Sequence, residues 1–316
     1  MKKALFLTVC LAMASLSTFG ATVSSIMLQH TGNVTMFESN GMTAAINSAV
    51  AGDTIYLSEG TFTGAFTINK AITIIGAGQK SKISGEVTIS IDNNPTLTAH
   101  LFDALYLGNK LTISKAVNNL KFRKCYFSQL TINANVTDLN IDRCHIMNII
   151  PSSYVKSGNI VNTYIDYLGS SSGNTINYIN CNIYKINLSS FSATFINSII
   201  ETYNNSNYRT FYGCVLVNTR YGTGFSIDTT SSVENCYTSG AVNAYTDEKT
   251  GLQYYTISSD WLEENKYFGT DGKIIGMFGG ATPYNLVPNV PIVTDSKVIV
   301  DTDNKKLNVS IKVVSN

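Results

Sequence analysis

The feature that most constrains this chain is a short repeat in its middle. Phe122-Arg123-Lys124-Cys125-Tyr126-Phe127 aligns with Ile141-Asp142-Arg143-Cys144-His145-Ile146, then with Ile160-Val161-Asn162-Thr163-Tyr164-Ile165. Tyr178-Ile179-Asn180-Cys181-Asn182-Ile183 follows, then Phe195 to Ile200, Phe211 to Leu216 and, more loosely, Val233 to Cys236. A small residue thus recurs at 125, 144, 163, 181, 198, 214 and 236, in steps of 19, 19, 18, 17, 16 and 22. Ala104 and Ala77 extend the series upstream. Repeats this regular mean stacked units that share one continuous core.

Each column of the alignment has a physical reading. Bulky apolar residues lie three before the small residue and two and five after it; the last ladder reads Leu130, Ile149, Leu168, Ile186 and Tyr203. From the small residue onward the apolar positions alternate by two, as a strand demands. The alternation breaks at the preceding residue, where the column reads Lys124, Arg143, Asn162, Asn180, Asn197, Gly213 and Asn235. Asn and Gly tolerate the left-handed backbone that a one-residue corner requires. Stacked corners would let the Asn side chains hydrogen-bond to one another. The cysteines are then small core residues facing inward.

The same local pattern fits a leucine-rich repeat, but that fold needs about 20–29 residues per unit to fit its return helix. Coils of 16 to 18 residues leave no room for one. The pattern predicts an all-β fold, a right-handed parallel β-helix, running over 54–240.

The flanking segments agree. Met42 to Ala51 reads as a short amphipathic helix, with Thr43 as its N-cap and Gly52 closing it. Gly52-Asp53-Thr54-Ile55-Tyr56-Leu57, Gly60-Thr61-Phe62 and Ile72-Thr73-Ile74-Ile75-Gly76-Ala77-Gly78 follow. This run resembles the opening of pectin-lyase-like β-helix proteins, in which a helix covers the exposed first coil; residues 21–53 are the expected cap. Phe268 to Gly272, Gly276 to Gly280 and Pro283 to Leu286 resemble the segment that closes many exported bacterial β-helix proteins. Ile292 to Val300 and Leu307 to Val314 read as a strand pair that ends a closing segment over 241–316.

Lys2 and Lys3, an apolar run from Ala4 to about Met13, and small residues up to Gly20 form an export signal over 1–20. The expected location is the periplasm, the outer surface or the medium. Val9 argues against lipid attachment at Cys10. No later stretch is long and apolar enough for a transmembrane segment. Net charge is +1 and charged residues make up 14%, against about 25% in an average chain. That balance argues against nucleic acid as a partner. Asn, Ser, Thr and Tyr solvate the surface instead. Export leaves five cysteines, an odd count that does not read as a disulfide scaffold.

Catalytic residues are unassigned. Family enzymes that cleave acidic polysaccharides use aspartate clusters holding calcium with a basic residue, and hydrolases on the scaffold use clustered aspartates. Neither motif is present, and no metal or other cofactor is expected. Arg123 and Asp142 share one outward column and are expected to pair. His30 and His100 stand alone. A second outward face is more suggestive of a ligand site. Tyr126, His145 and Tyr164 occupy one column, with Asp166, Tyr184 and Glu201 two residues further along their strands. Aromatic rings could stack on sugars and carboxylates accept their hydroxyl hydrogens, or the rings could simply stabilise the face through cross-strand pairing. Asp166 and Glu201 lie two rungs apart, about 10 Å between α-carbons.

Three functions fit. The first is a non-catalytic exported module that binds a polysaccharide or mediates adhesion; this reading leans away from an enzyme. The second is a polysaccharide lyase or glycoside hydrolase, and the third a structural or assembly component.

Overall fold

The computed structural model describes residues 24–91, 100–151, 154–169, 175–188, 192–203, 207, 209–248, 250–288, 292–301 and 306–314. The expected leader lies outside them, as does the side chain of His100. The fold is a parallel β-solenoid of about 8 turns with little helix. One sheet of 12 strands and another of 11 form its main walls. Strands of successive coils pair in parallel and in register: Phe122 faces Ile141, Ile141 faces Ile160, Ile160 faces Tyr178, and Tyr178 faces Phe195. Leu130, Ile149, Leu168, Ile186 and Tyr203 form another continuous column.

The corners fall where the Asn column predicts as far as Asn197, and again at Asn235. Lys124, Arg143, Asn162, Asn180, Asn197, Asn218 and Asn235 all have positive φ, between 45° and 52°. In this left-handed region Asn carries the smallest penalty among residues with a side chain. A second corner on the same coils, at Asn119 and Asp138, has φ of 57° and 55°. Just after the first corner, Cys125, Cys144, Thr163, Cys181 and Ser198 point into the core. Cys236 is half-buried, where full burial was expected, because it lies on the last rung.

The alignment slips after Ser198. Phe195 faces Leu216 and not Phe211, so Asn218 is the corner and Thr219 occupies the small position. Gly213 also turns left-handed, with φ 60°, and Cys214 is buried beside it, but at a different bend of a longer coil. Upstream, Phe102 faces Phe122, which makes Ala104 the corner itself, with φ 54°. Both shifts reflect coils of unequal length.

The N-terminal end is closed by an antiparallel hairpin, β1 (Ser25–His30) and β2 (Asn33–Glu38), and by helix α1 (Met42–Ser48). α1 buries Met42, Ala45 and Ile46 against the first coil. Its N-cap is Gly41 with no side-chain bond, so Thr43 does not cap it. His30 does not stand alone: its Nδ1 lies 2.8 Å from a carboxylate oxygen of Asp53. Arg123 pairs with Asp103 on the preceding coil, while Asp142 is held by Arg143, so the expected Arg123–Asp142 bond is not made. Residues 292–301 and 306–314 form the expected antiparallel strand pair.

Beyond Tyr237, which still bridges in parallel to Arg220, the segment to residue 288 does not continue the coils. Asn243–Thr246 and Gln253–Thr256 form an antiparallel hairpin beside Tyr164 and Tyr184, and residues 269–288 then return along the corner column toward the N-terminal end. The Thr270 amide donates to Asn197 Oδ1 at 3.0 Å and the Met277 amide to Asn182 Oδ1 at 2.9 Å. Asn162 Nδ2 donates to the Gly279 carbonyl at 2.7 Å, and Lys124 Nζ to the Val287 carbonyl at 2.6 Å. Of the corner asparagines, Asn162 and Asn197 therefore bond to this strap.

Candidate functional site

The strap decides which wall is open. Tyr106, Tyr126, His145, Tyr164 and Asn182 share one column, in register as expected. Tyr106 and Tyr126 stack at 4.3 Å, and the His145 ring lies 5.2 Å from Tyr126 and 4.8 Å from Tyr164. Those rings are covered. Tyr126 is 8% exposed, and His145 and Tyr164 are 1% exposed. Tyr284 and Tyr254 of the strap lie over them: the Tyr284 hydroxyl is 3.5 Å from His145 Nδ1, and the Tyr254 ring 5.9 Å from that of Tyr164. The Tyr164 hydroxyl accepts the Tyr255 amide at 3.2 Å. The open aromatic platform expected from the sequence is thus an interior contact, because residues 237–288 have no repeat that would announce where they dock.

Burial sets the electrostatics of this contact. Desolvation lowers the His145 pKa to about 4, with Asp247 opposing, so the ring is neutral. Its Nε2 has no hydrogen-bond partner among the described residues. Burial likewise pushes the Tyr126 phenol up to about 12, with a smaller contribution from Tyr106.

The other three predicted residues lie at the strap's margin. Tyr184 stacks on Tyr255 at 4.0 Å, with Lys185 Nζ 4.8 Å from its ring. Asp166 is half-buried, 3.5 Å from the Tyr164 hydroxyl. Burial raises its pKa, and Lys185 opposes the rise. Glu201 is ion-paired with Arg220, whose guanidinium also donates to the Gly240 carbonyl at 2.7 Å. That carboxylate anchors the start of the strap.

A different wall carries an open concavity. On the 12-stranded sheet, Lys121, Asn140, Asn159 and Asn177 are in register on successive rungs. With Asn119, Asp138, Ser157 and Thr175 at the adjoining corner, they line a groove of about 410 Å³. Gly158 forms part of its lining; a Cβ there would sit 2.6 Å from the Leu139 carbonyl oxygen, which no side chain permits. Asn177 Nδ2 donates to Asn159 Oδ1 at 3.0 Å, and Asn140 Nδ2 to the Asp138 carbonyl at 2.9 Å. Ser157 Oγ donates to Asp138 Oδ1 at 3.0 Å. Apart from Gly158 the lining residues have polar side chains, of which Lys121 and Asp138 are charged.

Amides and hydroxyls fixed at strand spacing, about 4.8 Å, offer donors and acceptors in alternation to a ligand rich in hydroxyl groups. The lining includes no histidine or cysteine. Among the described residues, no group of three or more His, Cys, Asp or Glu is placed to hold a metal ion. The signal for this groove is present in the sequence as an Asn four residues before each of Cys144, Thr163 and Cys181. No protein-family model, curated protein or solved structure matches the chain.

Proposed function

We propose that this protein is an exported, non-catalytic β-helix that binds a glycan at or outside the cell surface, through the asparagine groove. The observation that carries the reading is the groove's lining: neutral hydrogen-bonding side chains repeated rung by rung on an uncovered wall. The leader-like opening and the pectin-lyase-like run from Gly52 to Gly78 support export and an extracellular polysaccharide as partner. Tyr184 and Asp166 form a smaller second candidate; Tyr126, His145 and Tyr164 serve the fold.

The test is a polysaccharide panel read by affinity electrophoresis and by oligosaccharide release. Wild-type protein is expected to be retarded by at least one polysaccharide and to release nothing. Asn159→Ala should weaken retention several-fold, since one lost hydrogen bond contributes about 1 kcal/mol; Tyr184→Ala should leave it unchanged. Retention lost with Tyr184→Ala but kept with Asn159→Ala would move the site to the strap's margin. Oligosaccharide release would replace the reading with a lyase or hydrolase.

A further inference from the structure

The two ends of the 12-stranded sheet are unalike in construction and alike in what they leave unfilled. Among the described residues, β2 at one end pairs only with β1, and Ser232–Glu234 at the other pairs only with Val215–Val217. Each is an edge with an unused row of backbone donors and acceptors. β1 runs antiparallel to Thr54–Leu57, and β2 antiparallel to β1. Two reversals bring β2 back to the direction of the solenoid strands. A strand laid outside β2 in that direction would continue the parallel stack, and so would one laid beyond Ser232–Glu234.

Exposed apolar side chains gather at the same two places. Of ten large hydrophobic residues that are exposed among the described residues, Val34, Met36 and Val50 lie in the N-terminal cap. Tyr212, Val215 and Val233 lie on the last two coils. Val233 faces Leu216 in the core column, yet it is 43% exposed. A solenoid usually ends in a repeat with a polar outer face; here Val34, Met36 and Val233 stand exposed among the polar residues of the two edge strands.

We infer that a second copy of this chain docks head to tail, its β2 edge adding to the Ser232–Glu234 edge of the first. The occupant is another copy because both halves of the match are on one molecule: the same sheet, the same strand direction, and an apolar patch at each end. Such a contact joins two different surfaces, so it does not close on itself and a third copy can follow. It would also set the asparagine grooves of successive copies along one wall, which raises avidity for a long glycan.

Sedimentation equilibrium of the full chain over a wide concentration range tests this. The average mass of the wild type should rise past that of a dimer. Met36→Lys blocks one end and Val233→Lys the other. Each should be monomeric alone, and an equal mixture should form dimers and nothing larger. Both residues are exposed, and circular dichroism with thermal melting checks that each variant keeps its fold; Val34→Lys and Val215→Lys are the substitutes if either does not. A wild type that is monomeric throughout overturns the proposal. So does a single variant that still self-associates, or a mixture that stays monomeric.

Discussion

Two columns of asparagine climb this solenoid at the same rung spacing. Asn162, Asn180 and Asn197 sit at corners with φ of 46°, 51° and 51°, and Asn162 and Asn197 bond to the returning strap. Asn140, Asn159 and Asn177 sit within strands, on a wall that nothing described covers, and bond to one another or to the adjoining corner. The residue type is the same and the surroundings differ. Backbone conformation and a covering segment make the first column structural, whereas extended backbone and an open wall leave the second free to meet a ligand.

The covered side should be far more sensitive to change than the open one. The widest gap is expected between Tyr164→Ala and Asn159→Ala. The first empties a fully buried ring site and orphans the Tyr255 amide, at a cost of about 3–5 kcal/mol; the second should stay within about 0.5 kcal/mol, as surface substitutions do. Equal urea midpoints for the two would show that the strap does not cover the ring column. Next comes Asn162→Val against Asn159→Val. A β-branched residue at a left-handed corner, without the bonds to Met277 and Gly279, should lose about 3 kcal/mol. Asn159→Val lies in strand backbone that valine favours, and its midpoint should hardly move.

An effect of similar size separates the two sides by pH. His145 faces Tyr126, Tyr164 and Tyr284, with Asp247 nearby, and titrates near 4 in the fold. Unfolding returns it to about 6.5, so the unfolded chain binds the proton more readily. Stability from this site is complete above pH 6.5, declines as pH falls toward 4, and levels off below, with about 3 kcal/mol between the limits. Urea midpoints of wild type and His145→Phe, compared across that window, should diverge in slope. Parallel curves would place His145 in contact with water.

How far the sequence reaches follows from the same contrast. The corner column, the inward cysteines and the coil register to Ser198 are legible because each coil repeats the one before. After Ser198 the coil lengthens, and both Gly213 and Asn218 can take a left-handed turn; spacing alone favours Gly213, and packing selects Asn218. The ring column was readable as a column but not as a covered one. What covers it is a segment without periodicity, whose position is set by single bonds such as Lys124 to the Val287 carbonyl.

The path of the strap has a mechanical consequence. Pro288 packs on Gly78, and Ser24 lies against Gly60, so both ends of this stretch of chain sit at the capped end of the solenoid. A pull applied between residues 24 and 288 therefore loads the first coils and the last turn of the strap. The strap should peel away one corner at a time, from Lys124 toward Asn197, before tension reaches the stacked rungs. If the strand pair beyond residue 292 is an attachment point, the body would give way under force in small steps, and the groove wall would be among the last parts to feel it.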